Sequence, residues 1–263
     1  MADADAVRGA GVPDRLPSEQ PPPPGSLPAE PSAVMSLVDH LSELRTRIVK
    51  SILAVVVGSA IGFYFAPAIR HLLVLPLPID HRELQALGPG DGFAITLRIA
   101  VAVGVILAMP ILLYQLWAFV SPGLTPSERR ALRPWIPLAL VFFALGVSVA
   151  WVVLPFAIQF LLAFTDDVIV ARLAAPPYFD FVTTMFLAFG LLMEFPIVIY
   201  ALARVGILSS ARLRSSRRMV ILGIAIFAAV ATPGGDLVSP TVLGGTMYIL
   251  FELTVLAIRR SGR

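Results

Sequence analysis

Ser51-Ile52-Leu53-Ala54-Val55-Val56-Val57-Gly58-Ser59-Ala60-Ile61-Gly62-Phe63-Tyr64-Phe65-Ala66-Pro67-Ala68-Ile69 is an uncharged run of 19 residues between Lys50 and Arg70. Wound as an α-helix it reaches roughly 28 Å, enough to cross the hydrocarbon core of a bilayer. The surrounding chain has the same character: 57% of its 263 residues are hydrophobic and 14% charged, and its mean hydropathy is +0.86. Soluble domains of this size carry about 25% charge, so this apolar excess cannot be hidden in one water-soluble core. The chain reads as an all-α integral membrane protein. It has no cysteine, which excludes disulfides, thiolate metal sites and a cysteine nucleophile.

Upstream of this run, Leu37, Leu41, Leu44 and Ile48 recur at helical spacing, so an amphipathic helix leads into the first span. Residues 1–34 differ. Pro13, Pro17, Pro21–Pro24, Pro28 and Pro31 lie among Ala, Gly, Ser and Glu without an apolar run, and such a segment buries too little to offset chain entropy. It reads as a disordered cytoplasmic tail lacking the apolar region of a signal peptide, with a Pro-rich docking tract as the alternative. Residues 35–263 form the membrane domain.

Downstream, residues 70–92 are a turn-rich loop closing on Gly88-Pro89-Gly90-Asp91-Gly92. The second span is expected from about Phe93 to Val120 and the third from Pro134 to Thr165, with kinks at Pro110, Pro137 and Pro155. The fourth lies between Asp180 and Arg204 and contains Glu194-Phe195-Pro196. The fifth, Met219–Ala231, has only 13 apolar residues before Thr232-Pro233-Gly234-Gly235, and the sixth runs from about Thr241 to Ile258. A short fifth and sixth helix beside long ones implies a lopsided bundle in a locally thinned bilayer. Six spans put both termini on one side. If that side is the cytoplasm, 14 Lys and Arg near the membrane face inward against four outward (Arg70, Arg82, Arg98 and Arg172), as the positive-inside rule requires. The net charge of +3 therefore reports topology, not nucleic-acid binding.

Catalysis finds no support. His40, His71 and His81 all lie outside the spans, and no metal, phosphate-loop or dinucleotide motif occurs. Gly58-Ser59-Ala60-Ile61-Gly62 has no partner for a nucleophilic serine and reads as a small-xxx-small helix contact. What stands out are carboxylates. Glu43 and Glu128 fall on the arginine-rich face. One reading is local pairing, Glu43 with Arg47 at i,i+4 and Glu128 with Arg129 and Arg130. The other is an acidic pocket for a cationic ligand, since a carboxylate matches a guanidinium fork. Glu194 sits ten residues before Arg204, about 15 Å into the span, where a carboxyl faces a wet cavity or is protonated. Pro196 frees an upstream carbonyl beside it. Glu252 lies nearer the inner end of the last span, within reach of the interface.

At these residues the sequence resembles the TatC family, the signal-peptide receptor of the twin-arginine protein translocase. The likeness is carried by His40-Leu41-Ser42-Glu43-Leu44-Arg45-Thr46-Arg47, by Leu113-Tyr114-Gln115-Leu116-Trp117-Ala118-Phe119-Val120-Ser121-Pro122-Gly123-Leu124 and by Glu128-Arg129-Arg130. Phe186-Leu187-Ala188-Phe189-Gly190, Glu194-Phe195-Pro196, Met247-Tyr248 and Phe251-Glu252 continue it, so it covers residues 36–260. The resemblance implies a concave, cup-like bundle of six helices in the cytoplasmic membrane of a bacterium, with both termini cytoplasmic. It implies that Glu43 and Glu128 contact the paired arginines of a signal peptide, that Arg45 and Phe119 shape that surface, and that Glu194 lines the cup. It further implies single-span TatA- and TatB-type partners near spans five and six, around Thr232, Asp236 and Ser239. The complex would be multimeric and driven by the proton-motive force, with no cofactor, metal or nucleic acid. The chain departs from the family in its outer turn, Thr232-Pro233-Gly234-Gly235-Asp236 where Thr-Pro-Pro-Asp is usual, and in Pro240 and Thr246. Two rivals remain. A proton-coupled secondary transporter using Glu194 should show internal repeats, and none is visible; a passive scaffold would make the inner carboxylates dispensable.

Overall fold

The computed structural model describes residues 37–165, 172–206, 208, 215–232 and 236–260. The chain divides into two compact units, Met1–Leu41 and Ser42–Arg263, and the second holds nearly all of the described residues. The Pro-rich segment 1–34, Arg212, Arg214, Arg263 and the turn Pro233-Gly234-Gly235 lie outside the described residues.

The described residues form helices α1 (Leu37–Val74), α2 (Asp91–Val120), α3 (Pro126–Leu132), α4 (Trp135–Leu162), α5 (Ala175–Leu192), α6 (Phe195–Arg204), α7 (Arg217–Ala231) and α8 (Val238–Arg260). Among the described residues five stretches are long and apolar enough to cross a membrane: His40–Val74, Asp91–Gly123, Pro126–Leu162, Ala175–Arg204 and Val238–Arg260. The architecture is all-helical and multi-pass, as the hydropathy requires.

Two expectations need adjustment. The sixth helix is not short: α8 has 23 residues, about 34 Å of helix. Its start is set three residues before the apolar run, because Asp236 Oδ1 accepts the Ser239 N–H at 2.6 Å and so satisfies one of the amides a helix leaves open at its first turn. Only α7, with 15 residues and about 22 Å, falls short of a bilayer core. Pro137 is the third residue of α4, where a helix has no amide bond to lose, so it interrupts nothing. The fourth span is two helices: α5 ends at Leu192, and α6 begins again at Phe195 with Pro196 in its first turn.

The passages α1, α2, α3–α4 and α5–α6 alternate in direction, and contacts between distant residues tie their ends together. At one end Arg47 of α1 donates to Gln115 Oε1 of α2 at 3.4 Å, and Trp135 of α4 stacks on Tyr200 of α6 with ring centroids 3.7 Å apart. At the opposite end Arg70 of α1 donates to Thr96 Oγ1 of α2 at 2.7 Å, and Arg98 of α2 pairs with Asp180 of α5 at 3.3 Å. There the buried Tyr178 hydroxyl also donates to the Leu73 carbonyl at 2.6 Å. Tyr178→Phe is expected to cost about 1–2 kcal/mol, because that bond is buried and its acceptor would be left unmatched; chemical unfolding in detergent reads the loss.

Lipid is as apolar as leucine, so these helices are held by close packing rather than by escape from water. Glycines supply it. A Cβ on Gly58 would stand 2.6 Å from the Gly104 carbonyl oxygen, and one on Gly62 would stand 2.7 Å from that of Ala100, so the small-xxx-small stripe of α1 lies directly against α2. Deeper in the unit, Phe179, Met185, Phe189 and Met193 of the α5 region meet Leu154 of α4 and Leu243, Met247 and Phe251 of α8 in the buried core. Outward-facing apolar side chains such as Ile52, Val56 and Tyr64 are left for lipid.

Candidate functional site

The first turns of α1 and the last turns of α2 form one corner of the structure. Glu43 and Arg47 share a helix face at i,i+4, and the Glu43 side chain is only 17% exposed. Arg47 Nε donates to Glu43 Oε1 at 2.9 Å, and its Nη2 bonds the same oxygen. Its Nη1 reaches Gln115. One turn beyond Gln115 stands Phe119, half-buried on the final turn of α2. Arg45 projects from α1 exposed. The corner thus presents a partly dehydrated carboxylate that already holds a guanidinium. Gln115 is the member that sequence reasoning did not single out. Its signal was there: a lone amide near the end of an otherwise apolar run.

Glu128 is positioned by a different device. Thr125 adopts extended geometry before α3 with Pro126 at the first helical position, and a capping box closes around them. The Glu128 N–H donates to Thr125 Oγ1 at 3.4 Å, while Glu128 Oε2 accepts the Thr125 N–H at 2.9 Å. Arg129 does not turn to its neighbour; its Nε and Nη2 donate to the Ser121 carbonyl at 3.3 and 2.8 Å. The local pairing considered for Glu43 is therefore present, whereas Glu128 is oriented by the backbone of its own helix start.

Glu194 sits at the α5–α6 break, where its carbonyl accepts from Ile197 N–H at 3.0 Å and Val198 N–H at 3.2 Å. Pro196 offers no N–H, so the Leu192 carbonyl lacks its helical partner. The Glu194 side chain is half-buried, and its Oε1 is buried with no hydrogen bond among the described residues. A polar notch thus interrupts an apolar span.

At the start of α8, Thr232, Asp236 and Ser239 are all buried. Thr232 Oγ1 donates to the Ala228 carbonyl at 2.8 Å, Asp236 caps Ser239, and the Ser239 hydroxyl lies 4.0 Å from Met185 Sδ of α5. These side chains build the hairpin rather than face outward. The surface beside them is an open, mainly apolar groove between α7 and α8, lined by Ile221, Ile224, Ala225, Pro240, Gly244 and Tyr248 among others. Glu252 is engaged by two side chains. Arg217 Nη2 of α7 donates to its Oε2 at 2.7 Å and the Tyr248 hydroxyl to its Oε1 at 3.1 Å, tying α7 to α8. Among the described residues no cluster of three metal-ligating side chains occurs.

Comparison with known proteins gives a consistent picture. The family model described as TatC, Sec-independent protein translocase protein, matches residues 39–245. The Sec-independent protein translocase protein TatC of Carboxydothermus hydrogenoformans is 34% identical over 222 residues, which cover 84% of this chain and 91% of that protein. The protein of the same name from Aquifex aeolicus is 34% identical over 84% of this chain and 93% of its own length. A crystal structure of the twin arginine translocase receptor TatC in the detergent DDM superposes with a TM-score of 0.74 at 34% identity, covering 83% of this chain and 99% of the other.

Proposed function

This chain belongs to the TatC family and is a subunit of the Sec-independent, twin-arginine protein translocase, and on that footing we propose that its Glu43 and Glu128 recognise the arginine pair of the signal peptides it receives. The observation that carries this reading is the Glu43–Arg47 contact. A carboxylate with little access to water, gripping two N–H groups of a guanidinium, is chemically a guanidinium site. An incoming arginine takes the place of Arg47, which keeps Gln115 as an alternative partner. The second arginine meets the carboxylate that the capping box orients at Glu128. Phe119 gives the peptide an aromatic surface, and exposed Arg45 repels cationic sequences that lack the matching pair.

The reading extends to the rest of the unit. The chain crosses the cytoplasmic membrane of a bacterium six times, α7 making the fifth, short passage, with both termini inside and the helices forming a concave cup. The apolar part of the signal lies in that cup, where the notch at Glu194 offers a polar site at mid-depth. The groove between α7 and α8 takes the single helix of a TatA- or TatB-type partner, and Thr232, Asp236 and Ser239 act indirectly, by fixing the hairpin that shapes it. Several copies assemble, and the proton-motive force drives folded cargo across.

Recognition is tested by crosslinking a twin-arginine peptide to photoreactive groups placed beside Glu43 and Glu128, then repeating with Lys-Lys in the peptide. Lysine keeps the charge but loses the planar fork, so crosslinking is expected to fall at least about tenfold. Equal yields from the two peptides would refute the proposal.

A further inference from the structure

The segment joining α2 to α4 lies where two apolar helices end, at Val120 and Trp135, and it concentrates Arg129, Arg130 and Arg133 within five positions. Trp117 and Trp135 flank it, and tryptophan favours the boundary between membrane and water. The three arginines, with Leu124 and Pro126, line an open groove of about 350 Å³, and no carboxylate is among its lining residues. Arg129 is held in place by the two N–H groups it gives to the Ser121 carbonyl. Arg130 and Arg133 are exposed and make no hydrogen bond or ion pair among the described residues.

Three guanidinium groups on one groove whose described lining holds no carboxylate repel one another unless an anion sits between them. Scattered interfacial arginines simply extend into the headgroup layer. Here one of the three is fixed by the backbone and two flank an apolar-based groove with their forks uncommitted. Guanidinium forks match the oxygens of a phosphate, and the depth is that of lipid headgroups. Leu116 and Val120, in the last two turns of α2, are 59% and 44% exposed, apolar surface that acyl chains can cover. We propose that this groove binds the phosphate group of an anionic glycerophospholipid, with Arg129 as the fixed wall, Arg130 and Arg133 as the closing forks, and the acyl chains lying along α2. None of its three arginines is assigned a part in signal-peptide recognition, although Glu128, which is, directly precedes Arg129 on α3.

The test is native mass spectrometry of the full chain in detergent, titrated with phosphatidylglycerol and, separately, phosphatidylcholine. Wild-type protein retains phosphatidylglycerol selectively. In R130Q/R133Q that affinity is expected to fall at least about tenfold, because two interfacial cations facing the phosphate are gone. A control of equal charge, R259Q/R260Q at the end of α8, should change it by less than about threefold if position rather than net charge decides. R130K/R133K, which keeps the charge and is the milder change to the fold, should lose an intermediate amount for want of the forks. Unchanged binding in R130Q/R133Q, an equal loss in the control, or equal retention of phosphatidylcholine would overturn the site. Displacement of the lipid by millimolar inorganic phosphate would overturn the lipid as its occupant.

Discussion

Replacing Glu43 and Glu128 together with glutamine is expected to abolish export of a folded twin-arginine substrate, in cells lacking their own receptor, while the protein still inserts to wild-type levels. The two changes cost the fold little. Glutamine closes a capping box as glutamate does, so Thr125 keeps its partner at position 128. At position 43 the glutamine amide oxygen still accepts from Arg47, so the fold loses about 1 kcal/mol. For a visiting arginine the difference is large: removing the carboxylate from a partly buried, hydrogen-bonded charge pair costs about 2–5 kcal/mol, roughly 30-fold or more in affinity per site. Arg47→Gln should act in the opposite direction. It vacates the place the peptide's guanidinium takes and removes a like charge, so peptide binding is expected to tighten severalfold. If export survives the double change, the chain is a scaffold and its inner carboxylates are dispensable.

Gly146→Leu should produce the largest loss of stability. Gly146 lies on α4 where that helix meets α5, and a Cβ there would stand 2.3 Å from the Phe189 carbonyl oxygen and 2.8 Å from Met193 Cγ. The oxygen belongs to a helix backbone and cannot rotate away, so α4 and α5 must move apart along their shared face. Overpacking of this kind costs about 1–3 kcal/mol where side chains yield, and the upper end or beyond is expected where backbone is struck. Because Met193 precedes Glu194, the same separation displaces the mid-span notch, and export should fall along with stability. Gly223→Ala on α7 is the control: nothing lies within 4 Å of its added Cβ, and alanine improves helix propensity by about 0.8–1 kcal/mol. Thermal unfolding in detergent separates the two. Equal behaviour of both variants would mean that the α4–α5 contact is not what limits stability.

How the glutamates act depends on neighbours that the sequence could not supply. Glu43 and Arg47 were readable as a pair because helical spacing is a local property, but Gln115, 68 positions from Arg47, entered only through the meeting of α1 and α2. Glu252 had no visible partner until α7 brought Arg217 across 35 positions. Thr232, Asp236 and Ser239 were anticipated near a docking surface, and their burial is set by how α7 and α8 pack, which no local pattern announces. The fourth span could be read as interrupted because proline acts on its own helix, whereas Pro137 was misjudged because its effect depends on where α4 begins.

By itself the sequence determined that this chain lives in a membrane, where its apolar runs lie, which glycines pack and which carboxylates stand out, since transfer to lipid, helical periodicity and steric bulk are properties of residues and their near neighbours. The tertiary structure alone decided which distant side chains meet the carboxylate sites, Gln115 beside the Glu43–Arg47 pair and Arg217 on Glu252. Those outcomes depend on distances between residues far apart in the chain, which are fixed only when the helices pack.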